Sequence, residues 1–192
     1  IPFFLEMADH ISSVSSEIKL MIPIAPTTDI KDFLYYQSNK NPLSKNYSSK
    51  IKHIKKLKKS IFQYVLKTEN NTKIYLLASG PTYPILKQCE LAITTVGANT
   101  AELAAINLPM IVVLPTQHLS LMTAWEGIFG IIGKIPILNK IISLSIKTWY
   151  LNNKKFFSWP NIKSKKLIVP ERIGKFTPKE IAHEVLFLLK NK

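Results

Sequence analysis

The chain has 192 residues and 46% apolar side chains, about one domain with enough material for a core, which excludes wholesale disorder. No charge-free apolar run of about 20 residues occurs, so no transmembrane helix is expected; the lone Cys89 excludes a disulfide scaffold or a Cys-based zinc site and fits a reducing compartment. The 26 basic against 12 acidic side chains give +14, but 25 of the 26 are Lys and only Arg172 is Arg; with Ile and Asn also abundant, part of this basicity reads as AT-rich coding bias.

The start, Ile1-Pro2, has no initiator Met and no basic segment ahead of an apolar one. No signal peptide is expected, and the chain is read as beginning within a larger protein. Phe4, Met7, Ala8 and Ile11 recur at helical spacing and predict an amphipathic helix over 3–16. Residues 18–25 (IKLMIPIA) suit a short buried strand, with Pro23 as an imperfection. After a turn at 26–28, residues 29–38 predict a helix with Ile30, Phe33 and Leu34 on one face and Thr28 as its cap. Asn, Ser and Pro42 then mark a loop, followed by KIKHIKKLKK at 50–59, read as an exposed insertion or a basic helix. Residues 40–73 hold ten Lys against Glu69 alone, so 39–72 is expected to be a basic insertion within a single domain over 1–192.

Regular alternation follows. Strands are expected at 73–78 (KIYLLA), 91–95 (LAITT) and 110–114 (MIVVL), with helices at 83–89, 99–106 and from 119 onward. Apolar, β-branched runs alternating with helices predict an α/β fold, a Rossmann-like parallel sheet with helices on both faces. At the end, Thr177-Pro178-Lys179-Glu180 is a capping box with Pro at the first helical position, opening a helix to 190.

In such a sheet ligands bind at the carboxyl ends of the strands. Two ends stand out: Ser79-Gly80 after KIYLLA, and Val96-Gly97-Ala98-Asn99-Thr100 after LAITT. The second runs strand, small-residue loop, helix. Its free amides and helix dipole suit a phosphate or diphosphate, and Gly97 and Ala98 permit close approach. Glu102, one turn in, is placed to accept bonds from ribose hydroxyls; equally, Asn99-x-x-Glu102 reads as a capping box that would turn Glu102 back on its own helix. No GxxxxGK[ST] or GxGxxG is present, which disfavours P-loop and dinucleotide readings. His118 follows the strand at 110–114 on a Pro115-Thr116-Gln117 turn, where a ligand contact and plain solvation are both open. His10, His53 and His183 show no metal-ligand spacing, and Ser79 lacks a GxSxG elbow.

Residues 128–151 are dense in Ile, Leu and aromatic side chains, interrupted by Gly130, Gly133 and Pro136. Lys140, Ser143 and Lys147 form a polar stripe, and Lys154, Lys155, Phe156, Phe157 and Trp159 follow. Over 128–159, apolar and aromatic residues interleaved with Lys suit the interface of an anionic membrane; the alternative is a helix pair packed on the sheet or on another domain.

Gly97-Ala98-Asn99-Thr100-Ala101-Glu102-Leu103, then Leu108-Pro109-Met110 and Val112-Val113, resemble the nucleotide-binding segment of lipid-A-disaccharide synthase. Trp159-Pro160-Asn161-Ile162, Ile168-Val169-Pro170-Glu171 and Thr177-Pro178 resemble that family's Pro-Asn…Val-x-Glu segment and terminal helix. The resemblance covers roughly 76–190 and extends weakly to residue 3. It implies the C-terminal half of a two-domain GT-B glycosyltransferase, with the acceptor domain and general base outside this chain. It further implies a UDP-sugar donor, an acylated glucosamine-type sugar moved to a lipid acceptor, no metal, and a cytoplasmic location on the inner face of the inner membrane. Carried over, Gly97, Ala98, Asn99 and Thr100 hold the diphosphate, Glu102 holds the ribose, and Asn161 and Glu171 match positions near the donor site; Gln117 is a further substrate-binding candidate. The chain has Val96-Gly97-Ala98 where the family usually has Ser-Gly-Thr, and Lys165-Lys166 where it usually has Gly-Arg, as in a divergent branch. Competing expectations are another GT-B enzyme, such as a UDP-sugar epimerase or glycolipid synthase, and a non-enzymatic nucleic-acid binder. The near absence of Arg and of any nucleic-acid motif argues against the last.

Overall fold

The computed structural model describes residues 1–25, 28–38, 41–77, 82–117, 152 and 155–191. The chain, expected as one domain over 1–192, divides into two compact units: Ile1–Cys89 with Phe176–Lys192, and Glu90–Lys175.

In the first unit, helix α1 (Pro2–Val14) buries Phe3, Leu5, Met7, Ala8 and Ile11. Strand β1 (Leu20–Pro23) follows, then α2 (Ile30–Gln37) and a 3-10 turn at Pro42–Asn46. Asp29 rather than Thr28 caps α2: its Oδ1 accepts the Lys31 N–H at 2.9 Å. Strands β2 (Ile51–Lys56), β3 (Tyr64–Thr68) and β4 (Lys73–Leu77) complete a mixed sheet of order β1-β4-β3-β2. β1 and β4 are parallel, from Leu20↔Ile74 to Pro23↔Leu77, while β3 runs antiparallel to both β4 and β2. Helix α3 (Tyr83–Leu86) follows. Leu5 and Ala8 of α1 close one core with Ile24, Phe33, Ile51, Leu66, Ile74 and Leu76.

Of the two readings of 50–59, an exposed insertion or a basic helix, the helix is corrected: Ile51–Lys56 is strand β2, the edge of the sheet, and it forms a hairpin with β3. Ile51 is buried against the core while Lys52, His53, Lys55 and Lys56 are exposed. Lysines on an edge strand keep its open backbone from pairing with other chains.

The capping box at the chain's end forms as expected. The C-terminal helix Pro178–Lys190 is capped by Thr177, whose Oγ1 accepts the Glu180 N–H. In return the Thr177 N–H and hydroxyl donate to Glu180 Oε2 at 2.6 and 2.9 Å. These two bonds hold the Glu180 carboxyl below its ordinary 4.5. A carboxyl depressed in the fold contributes stability above its unfolded value and loses it as pH falls. Melting temperature is therefore expected to drop between pH 5 and pH 3 partly through this cap. Thr177→Ala is expected to remove about 1 kcal/mol at pH 7 and to lessen that drop; an unchanged acid profile would show the cap idle.

In the second unit, β5 (Ala92–Thr94), β6 (Met110–Pro115) and β7 (Glu171–Gly174) form a parallel sheet of order β5-β6-β7. Every residue of β6 is buried, as its unbroken apolar run requires of a central parallel strand. Helix α4 (Asn99–Ala105) packs Leu103 inward, and α5 (Trp159–Ser164) lies against α4. The fold is α/β, with one mixed and one parallel sheet plus helices, compatible with a Rossmann-like arrangement. Strand β7 had no expected counterpart.

Candidate functional site

The candidate residues lie around the three strands of the second unit: 97–102 follow the carboxyl end of β5, Gln117 follows that of β6, and Glu171 opens β7 at its amino end. β5 ends at Thr94, and Gly97 follows with φ +142°, a backbone region that disfavours any side chain. A Cβ built there would lie 3.0 Å from Asn99 Oδ1. Gly97, Ala98 and Asn99 are exposed. Their backbone N–H groups have no acceptor among the described residues, because the first helical bonds run from Thr100 N to Gly97 O and from Ala101 N to Ala98 O. Three consecutive open amides at the start of a helix form a region of positive potential.

The capping-box reading of Asn99 and Glu102 is corrected. Helix α4 is preceded by Ala98 in helical conformation, with no side-chain cap. Asn99 instead donates from Nδ2 to Thr94 Oγ1. Glu102 is exposed, and its carboxylate has no hydrogen-bond partner among the described residues. Thr100 is fully buried: its hydroxyl donates to Gly97 O at 2.8 Å and accepts the Trp159 N–H at 3.0 Å. It thus fixes the Gly97 loop to the start of α5. Gln117 is half-buried two residues past the end of β6, the strand next to β5.

Asn161 and Glu171 come together, in a role that sequence reasoning missed. Glu171 Oε1 accepts the Ser158 N–H at 2.8 Å, the Ser158 hydroxyl at 2.6 Å and Asn161 Nδ2 at 2.8 Å, and Oε2 accepts the Phe157 N–H at 3.0 Å. The carboxylate sits where an anion would at the start of α5. Asn161, fully buried, also donates to Val169 O at 2.7 Å and accepts the Ile168 and Val169 N–H groups at 2.8 Å each. Its side chain stitches α5 to the segment entering β7. The available signal was Ser158-Trp159-Pro160, a polar residue and a Pro at a helix start. Both residues brace the start of α5 against the start of β7.

Comparison with protein-family models, with curated proteins and with solved structures gives no match. The geometry of the site therefore carries the functional reading. Ser79, Gly80, His118 and residues 128–151 lie outside the described residues. Among the described residues no group of three or more His, Cys, Asp or Glu is arranged to hold a metal ion, and no helix is long and apolar enough to cross a membrane.

Proposed function

We propose that the second unit binds the diphosphate of a UDP-sugar, as the donor part of a GT-B glycosyltransferase of the lipid-A-disaccharide synthase type. The observation that carries this reading is the row of open amides at Gly97, Ala98 and Asn99 on the carboxyl edge of a parallel sheet, with Glu102 exposed one turn on. The amides take the diphosphate oxygens and Glu102 takes the ribose hydroxyls. Thr100, Asn161 and Glu171 hold the loop and α5 in place, and Gln117 borders the donor from just past the next strand. Glycosyl transfer leaves negative charge on the departing UDP, and fixed N–H dipoles stabilise it there. An acylated glucosamine-type sugar and a lipid acceptor at the inner face of the inner membrane complete the proposal.

One backbone detail supports the family resemblance. The resemblance implies Gly where Lys165 stands, and Lys165 ends α5 in the left-handed region at φ +54°, the conformation that Gly adopts without cost.

The test is a UDP titration of the labelled chain by amide NMR. Shifts are expected to cluster at 97–102, and Glu102→Ala is expected to weaken binding about tenfold, the worth of a hydrogen bond to a charged group. A folded chain that does not respond to millimolar UDP overturns the donor reading.

A further inference from the structure

We propose that the tip of the β2–β3 hairpin is a contact surface for an anionic lipid bilayer. Residues 50–68 hold seven Lys and no Asp or Glu. Lys52, Lys55, Lys56, Lys58 and Lys59 are exposed, and none of them has an ion-pair partner among the described residues. The hairpin is built rather than loose. Leu57 N–H donates to Gln63 O at 2.8 Å, Gln63 N–H to Leu76 O at 3.0 Å, and Phe62 N–H to Ser60 Oγ at 3.1 Å. Phe62 packs on Tyr75 with ring centroids 5.1 Å apart. That leaves Ile61 standing out at the tip, 62% exposed, beside Lys58 and Lys59.

An exposed aliphatic side chain in a hairpin rich in exposed lysines matches the two layers of a bilayer surface. The ammonium groups meet anionic headgroups, and Ile61 enters the interfacial region. A nucleic acid fits less well. The hairpin has no Arg for base or bidentate phosphate contacts, and its aromatic rings at Phe62 and Tyr64 are partly buried rather than offered for stacking. With only one apolar side chain at the tip, attraction between charges supplies most of the binding, so salt weakens it strongly. This surface does not depend on the donor reading, because vesicle binding is measured without nucleotide.

The experiment is co-sedimentation of the full chain with phosphatidylcholine vesicles, with and without phosphatidylglycerol, at rising salt. Binding is expected only to vesicles containing phosphatidylglycerol. Replacing Lys55, Lys56, Lys58 and Lys59 together by Gln is expected to weaken it on the order of 1,000-fold. Ile61→Ser is expected to weaken it about fivefold, while changing Lys163, Lys165 and Lys166 to Gln leaves it near wild type. Circular dichroism confirms that each variant folds. The proposal is overturned if the four-lysine variant binds as well as wild type, or if neutral vesicles bind equally. It is also overturned if a short nucleic-acid duplex displaces the vesicles at the same salt.

Discussion

Glu171→Ala is expected to destabilise the parallel-sheet unit by about 3 kcal/mol. The carboxylate accepts from two backbone N–H groups, one hydroxyl and one amide, and Ser158 and Asn161, which supply three of these donors, are fully buried. Removing it leaves those donors without an acceptor, at roughly 1–3 kcal/mol for each that water cannot reach. The change is a large part of the 5–15 kcal/mol that typically holds a domain together. Glu171→Gln keeps one acceptor oxygen but turns an amide toward a donor, so about half the loss is expected. The readout is hydrogen exchange at the amides of Ile111–Leu114 in β6, with urea denaturation of the whole chain beside it. If Glu171→Ala leaves those amides within about 0.5 kcal/mol of wild type, the cluster does not hold the unit together. The Gln variant separates acceptor geometry from size: equal losses in Ala and Gln would mean that the negative charge at the start of α5 carries the effect.

The features legible in the sequence are those set by local physics. The run MIVVL could only be a strand buried on both faces, and it forms β6 with every residue inside. Thr177 and Glu180 form the expected box because both members lie within one turn. The hairpin was hidden for a definite reason. Ile51, Ile54 and Leu57 recur every third residue, which mimics a helix face. In the structure that spacing accompanies a register shift between Ile51 and His53, which breaks the period-two alternation. Strand β7 was too short, with Ile173 its only large apolar residue, to be read at all. At the candidate site, the loop 96–98 and the start of α4 were readable. The role of Glu102 turned on whether Asn99 capped the helix, and Asn99 bonds to Thr94 instead, a choice set by the end of β5. Glu171 and Asn161 were noticed as residues but not as a bonded pair, since their bonding depends on where β7 begins.

The charge on Asp9 was equally invisible, because its partners lie 40 to 61 residues away. Asp9 sits on α1 at 8% exposure. Its Oδ2 accepts the Ser49 hydroxyl at 2.6 Å and Asn70 Nδ2 at 2.8 Å, and its Oδ1 accepts the Thr68 hydroxyl at 2.6 Å. Thr68 Oγ1 then accepts the Thr72 N–H at 3.1 Å, fixing the turn between β3 and β4. No cation pairs with Asp9 among the described residues, so its negative charge is balanced by hydrogen-bond donors alone. The carboxylate thereby ties α1 to the loop before β2 and to the β3–β4 turn. It also lines a 330 Å³ cleft with Glu6, His10, Ser48, Ser49 and Asn70. Glu6 in turn accepts the Ser48 N–H at 2.6 Å, so both acids of that cleft serve the fold. Asp9→Ala is expected to destabilise the mixed-sheet unit by about 3 kcal/mol, because Thr68 and Ser49 are buried and lose their acceptor together. Asp9→Asn retains one acceptor and sets its amide against a donor, so about 1.5 kcal/mol is expected. Hydrogen exchange at Leu66, Ile74 and Leu76 reports the change, and Thr68→Val, which removes one arm of the network, should fall between wild type and Asp9→Ala. Additive losses in Asp9→Ala with Thr68→Val would mean that the two side chains act separately. A double variant no worse than Asp9→Ala alone is the result expected of one connected network.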